Sequence, residues 1–135
     1  MGAKKLLGVV IADSGAGIID RIRKLIEDDT NIEFLGSTAD LSSTIPLIQE
    51  RKPNVVIMDI NTSDVSAGNG LMKLLITIRL RFPELSIIVL SNSVHIRLNC
   101  IAYGADYFFD KSYDFSLIPD TLRNIYLTPS ASESR

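Results

Sequence analysis

The chain has 135 residues, which suits one domain around one core, and 46% of them are apolar, which excludes a disordered protein. Its 14 basic and 16 acidic residues nearly balance, with no Lys/Arg-rich run to mark a nucleic-acid surface. One Cys and one His exclude an internal disulfide and a zinc cluster, and no apolar run approaches the ~20 residues of a membrane span.

The N-terminus Met1-Gly2-Ala3-Lys4-Lys5 has no signal-peptide pattern, and Leu6 stands where a myristoylation signal needs Ser or Thr. The expectation is a soluble cytoplasmic protein without membrane attachment or direct nucleic-acid binding. Residues 6–12 then form an apolar run of the kind that makes a buried strand. Ile18, Ile19, Ile22, Leu25 and Ile26 follow at helical spacing. Residues 32–36 read as a second strand, and their polar content places it near a sheet edge. Residues 40–51 read as a helix whose Pro46 belongs in the first turn or makes a kink. Val55 to Met58 is a third strand, residues 70–82 a helix, and 85–90 a fourth strand. A helix over 94–103 ends at Gly104, a residue suited to a left-handed C-cap. A short strand over 106–109 and a helix over 116–127 complete the pattern, with Ser116 as its expected N-cap and Pro119 in its first turn. The remainder, 128–135, is small and polar and reads as a disordered tail or the start of a linker.

Five strands alternating with five helices imply a parallel sheet with right-handed crossovers. The expected fold is a single doubly wound five-stranded sheet, flavodoxin-like, in the order 2-1-3-4-5, spanning residues 1–127. Such sheets place their sites at the C-terminal ends of strands 1 and 3. Asp59 stands there, directly after Val55-Val56-Ile57-Met58. Burying an unpaired charge is expensive, so an acid in that place needs partners. Asp13 and Ser14 end strand 1, Ser91 ends strand 4, and Asp110-Lys111 ends strand 5. Converging carboxylates invite a hard divalent cation such as Mg²⁺. A hydroxyl and an ammonium opposite them complete a cradle for a phosphoryl group in transfer.

These segments resemble the receiver domain of bacterial two-component response regulators. The motifs are Val-Val-Ile-Met-Asp59-Ile-Asn61, Ile-Ile-Val-Leu-Ser91 and Gly104-Ala105-Asp106-Tyr-Phe108-Phe-Asp-Lys111. The resemblance covers residues 5–127. It implies that Asp59 accepts a phosphoryl group from a histidine kinase or phosphotransfer protein. It implies further that Asp13, Asp59 and the Asn61 backbone carbonyl hold Mg²⁺. Ser91 and Lys111 would contact the phosphoryl oxygens, and Ser91 and Phe108 would form the switch. Helix 4, strand 5 and helix 5 would carry the signal to a downstream protein, to an output domain beyond this chain, or to a second copy in a homodimer. The domain would not be an enzyme beyond assisting its own phosphoryl transfer and dephosphorylation.

The sequence departs from the family's pattern in four places. Receivers usually carry two adjacent acids after strand 1, where this chain has Ala12-Asp13-Ser14. One matching puts Asp13 and Ser14 at the two acid positions, the other Ala12 and Asp13. The loop after Asp59 is about three residues longer than usual and contains Asp64, which reads as a solvated loop acid or, alternatively, as a substitute carboxylate. The segment from Ser91 to Gly104 is about two residues short, and Phe108 replaces the common Tyr. These departures motivate an alternative: a degenerate receiver that binds partners or dimerises without phosphorylation. Among the other candidates, His95 reads as a surface residue and Cys100 as a small buried hydrophobe. Residues 103–115 hold six of the nine aromatics, too many for one face of a strand, which leaves some for an interaction surface.

Overall fold

The computed structural model describes residues 5–13, 17–61 and 70–128. Five strands, β1 (Leu7–Asp13), β2 (Ile32–Thr38), β3 (Val55–Ile60), β4 (Ser86–Ser91) and β5 (Tyr107–Asp110), form one parallel sheet in the order β2-β1-β3-β4-β5. Between and after them run α1 (Ile18–Ile26), α2 (Thr44–Arg51), α3 (Gly70–Arg81), α4 (Arg97–Ala102) and α5 (Ile118–Leu127). This is the doubly wound order that the alternating pattern implies. β2 lies at one edge, as its mixed composition predicts.

Two apolar layers sandwich the sheet. Val10, Ala12, Val56, Met58, Ile87 and Val89 face α2, α3 and α4. Val9, Ile11, Val55, Ile57, Ile88 and Leu90 face α1 and α5. Strands buried on both faces have no room for polar alternation, so β1 and β3 read as continuous apolar runs. Each strand end that matters runs slightly further than its apolar stretch suggests. β1 reaches Asp13, β3 passes Asp59 to Ile60, and β4 includes Ser91. The ladder continues through these polar residues because their backbones still pair with a neighbouring strand.

The base of the sheet is tied by Asn54. Its side-chain Oδ1 accepts the Gly8 N–H at 2.7 Å, its own N–H donates to the Gly8 carbonyl at 2.8 Å, and its carbonyl accepts the Ser86 N–H at 3.0 Å. One residue thereby joins the entries to β1, β3 and β4.

Three helices begin with a tighter turn than expected. Residues Leu41–Ser43, Val94–Ile96 and Phe115–Leu117 are 3₁₀ turns leading into α2, α4 and α5. Pro46 falls in the first turn of α2, where its missing N–H costs nothing. Ser116 is not the N-cap of α5. It lies within the 3₁₀ turn, the residue before the helix is Leu117, and no side chain caps that end. Phe115 is buried against the α1 face of the core, which draws the turn inward and moves the helix start past Ser116.

At the opposite end of the sheet from Asp59, Arg79 of α3 fixes the connection between α4 and β5. Its Nε and Nη2 donate to the Gly104 carbonyl at 3.1 and 2.7 Å, and Nη2 also bonds Asp106 Oδ2 at 2.6 Å. Its Nη1 donates to the carbonyls of Leu85 and Pro83. Asp106 Oδ2 in turn accepts the Ile87 N–H at 2.8 Å. Gly104 has φ +123°, as a C-cap glycine should, and a Cβ there would lie 2.8 Å from Arg79 Cβ.

Candidate functional site

Register brings the two acids together. Along the paired β1 and β3, Ala12 stands beside Met58 and Asp13 beside Asp59. Successive strand residues point to opposite faces, so Asp13 and Asp59 share a face and Ala12 does not. Ala12 is buried in the α2/α3/α4 layer with Val10, Val56 and Met58. Of the two matchings of Ala12-Asp13-Ser14 to an acid pair, the geometry therefore keeps Asp13 at Asp59's side and removes Ala12 from the site. Ser14, the other metal candidate, and Asp64 lie outside the described residues, as does the tail from 129 onward.

Asp13 and Asp59 are each only 2% exposed. Two such carboxylates side by side cannot both hold charge cheaply. Burial pushes the Asp59 carboxyl up to about 6, helped by its hydrogen bond and repulsion with Asp13 and opposed by Lys111. Lys111 Nζ forms an ion pair with Asp59 Oδ1 and is itself mostly buried. Desolvation outweighs that attraction, so Asp59 is electrostatically under-compensated.

The remaining candidates gather at the same edge. Ser91 stands beside Ile60 of β3 and Asp110 of β5 and is fully buried. Its carbonyl accepts the Lys111 N–H at 3.1 Å, which places the lysine's backbone. Its hydroxyl oxygen accepts the Ser93 N–H at 3.0 Å. A local side-chain turn thus engages Ser91, which the motif alone casts as a phosphoryl ligand. Asn61 follows β3 directly, two residues after Asp59. Phe108 is buried within the α2/α3/α4 layer, with Ile96 and Cys100 of the α4 segment in the same layer. His95 is exposed and Cys100 fully buried, as expected. Of the six clustered aromatics, Phe108 and Phe115 serve the core, while Tyr103 and Tyr113 are exposed.

A further pair escapes sequence reading. Ser112 Oγ donates to Asn92 Oδ1 at 3.1 Å, tying the loop after β4 to the loop after β5. Neither Asn92 nor Ser112 has a motif role. Their one signal is adjacency, since each directly follows a site residue.

Oxygen donors suit a hard cation, and two buried carboxyl groups held side by side are what such a cation relieves. Asp13, Asp59 and the Asn61 carbonyl fit Mg²⁺ on these grounds. No cluster of three or more His, Cys, Asp or Glu side chains occurs among the described residues, so any such site relies on backbone and water oxygens as well.

A doubly wound sheet with an acid, a hydroxyl and a lysine at one carboxyl edge defines a known class of signalling domain. Residues 9–123 match the response regulator receiver domain family, and the chain belongs to it. Among solved structures, the chain is similar to the isolated receiver domain of RcsB from Salmonella enterica serovar Typhimurium, solved with the phosphomimetic BeF3⁻. Identity is 25% and the TM-score 0.77, covering 97% of this chain and 98% of that one. It also matches a longer RcsB chain from Salmonella typhimurium, described for its DNA interaction, at 26% identity and TM-score 0.77; 97% of this chain and 66% of that one are covered. The response regulator domain of Thermotoga maritima CheB has the same fold at 18% identity and TM-score 0.75, with 93% and 99% covered. Receiver domains are signalling domains rather than classical enzymes, and among the described residues no helix is long and apolar enough to cross a membrane.

Proposed function

We propose that residues 1–127 act as a phosphorylation-dependent receiver in the cytoplasm, with Asp59 as the phosphoacceptor. The observation that carries this reading is the buried Asp59, aligned with Asp13 across the β1–β3 register and ion-paired to Lys111. A carboxylate oxygen of Asp59 attacks the phosphorus of a phosphohistidine on a kinase or phosphotransfer protein. The O–P bond forms as the P–N bond breaks, the electron pair goes to the imidazole nitrogen, and that nitrogen takes up a proton. Mg²⁺, when bound, offsets the negative charge of the acids and of the phosphoryl oxygens. Asp13, Asp59 and the Asn61 carbonyl would hold it, with Ser14 as a further candidate. Lys111 balances charge on the phosphoryl oxygens, and Ser91 donates its hydroxyl to one of them.

In this reading the signal leaves through α4, β5 and α5. It reaches a downstream protein, an output domain outside this chain, or a second copy, and residues 128–135 are a tail or the start of a linker. Phe108 and Ser91 form the switch.

Mass spectrometry after incubation with Mg²⁺ and a small acyl phosphate tests the assignment. One added phosphoryl group, absent in Asp59→Asn, is the expected result. No addition to the unaltered chain sinks it.

A second reading has its own support. Phe108 already lies inward, and Ser14 stands at the second acid position. A degenerate receiver would bind partners or dimerise with the same affinity whether or not Asp59 is replaced by Ala.

A further inference from the structure

The end of β4 at Ser91 and the loop that carries Lys111 are joined by two hydrogen bonds into a closed ring. Lys111 N–H donates to the Ser91 carbonyl, and one residue further on Ser112 Oγ donates to Asn92 Oδ1. Each partner of the second bond is pinned by its neighbours. The Ser112 N–H donates to Asp110 Oδ1 at 2.8 Å, while the Ser93 N–H holds the Ser91 hydroxyl oxygen. Asn92 is therefore the middle residue of the turn that occupies Ser91's oxygen, and Ser112 anchors it from across the sheet edge.

We propose that the Asn92–Ser112 hydrogen bond is a latch that keeps the Ser91 hydroxyl in its resting turn and so opposes capture of a phosphoryl group at Asp59. The proposal rests on the phosphoacceptor reading and adds two positioning residues to it. In this proposal, moving the Ser91 hydroxyl toward a phosphoryl oxygen on Asp59 lengthens its bond from the Ser93 N–H and draws the 92–93 backbone with it. A tether from Asn92 to the loop of Lys111 resists that movement. Because Lys111 already contacts Asp59, the tether references Ser91's position to the ammonium that shares its ligand. Both latch residues are solvent-exposed, so their truncation leaves the core intact.

A net neutral hydrogen bond shifts a two-state equilibrium by about two- to tenfold, and its exposure places this one at the low end. The test is titration with BeF3⁻ and Mg²⁺ on the full chain and on Asn92→Ala, Ser112→Ala, the double variant and Ser112→Thr. Each Ala variant should bind about two- to fivefold more tightly. The double variant should gain no more than either single change, since both remove one bond. Ser112→Thr keeps the hydroxyl and should behave as the parent. Unchanged affinity in the Ala variants, or gains that add in the double variant, overturns the latch and marks the contact as a surface bond only.

The Ser93 amide gives an independent readout by hydrogen exchange. Its N–H should exchange about two- to fivefold faster in both Ala variants without any ligand. If the parent chain binds no BeF3⁻, the phosphoacceptor reading fails. Accelerated Ser93 exchange would then still show that the Asn92–Ser112 bond holds the Ser91 turn, and unaltered exchange would remove that tether as well.

Discussion

Asp13 and Asp59 stand beside each other in register on neighbouring parallel strands, both buried, and the proton affinity of Asp59 is raised as a result. The strand ladder enforces this proximity, because each acid is a strand residue rather than a loop residue free to swing away. The energetics of the site follow chiefly from that burial, to which the contact between the acids adds.

The first consequence concerns pH. The Asp59 carboxyl rises from 3.8 to about 6, so the folded protein holds a proton that the unfolded chain releases. Its contribution is fully present below about pH 4 and is lost as pH rises through about 6. A shift of this size corresponds to at most about 3 kcal/mol, of which the Lys111 ion pair returns a part when Asp59 is replaced. Asp59→Asn should therefore be more stable than the parent by roughly 1–2 kcal/mol at pH 8 and nearly equal to it at pH 4. Urea unfolding of both proteins across this range reads the difference. A gap that does not change with pH would rule out the buried Asp59 charge as its source.

Mg²⁺ should act on the same charge. If the acids and the Asn61 carbonyl hold it, the ion stabilises the folded chain by about 1.4 kcal/mol at ten times its dissociation constant. Asp13→Asn should weaken this thermal stabilisation at least tenfold in the Mg²⁺ concentration required. Equal Mg²⁺ dependence in parent and variant would remove Asp13 from the metal site.

The sheet order, the edge position of β2 and the convergence of Asp13, Asp59, Ser91 and Lys111 are legible in the sequence, because doubly buried strands must be apolar runs and helices must link them. Ser116 reads as a cap and is not one, since the burial of Phe115 decides where the turn tightens and burial is a tertiary fact. Nor does any local pattern announce Arg79, whose carbonyl and carboxylate partners at Gly104 and Asp106 lie 25 and 27 residues away.

That arginine makes a third prediction. Gly104→Ala would place a Cβ against Arg79 Cβ in a backbone conformation that L-residues rarely adopt. The cost should be roughly 2–4 kcal/mol. Arg79→Lys keeps the charge but loses the planar fork that reaches three carbonyls and Asp106, and should cost about 1–3 kcal/mol. Denaturant midpoints measure both, with an unchanged slope. Parent-like stability in Arg79→Lys would show the hub to be ornamental.

Cys100 supplies a fourth. It is fully buried, and burial pushes its thiol up to about 11. A thiol reagent at about pH 7.5 should label the native chain slowly and only through opening of the structure, while urea-unfolded chain reacts at once. Rapid labelling under native conditions would mean that α4 detaches readily from the sheet.

Asn54 has a bearing on the far end of the molecule. Parallel strands that slide by two residues keep every side chain on its proper face, so the hydrophobic layers alone do not forbid the error. Such a slide would separate Asp13 from Asp59 by about 6.6 Å along the strands. From the Gly8–Asn54 tie to the Asp13–Asp59 pair the two strands count the same number of residues without a bulge. An amide at the floor of the sheet thus works as the zero mark of a ruler, and the acids five residues above meet because both strands are measured from it.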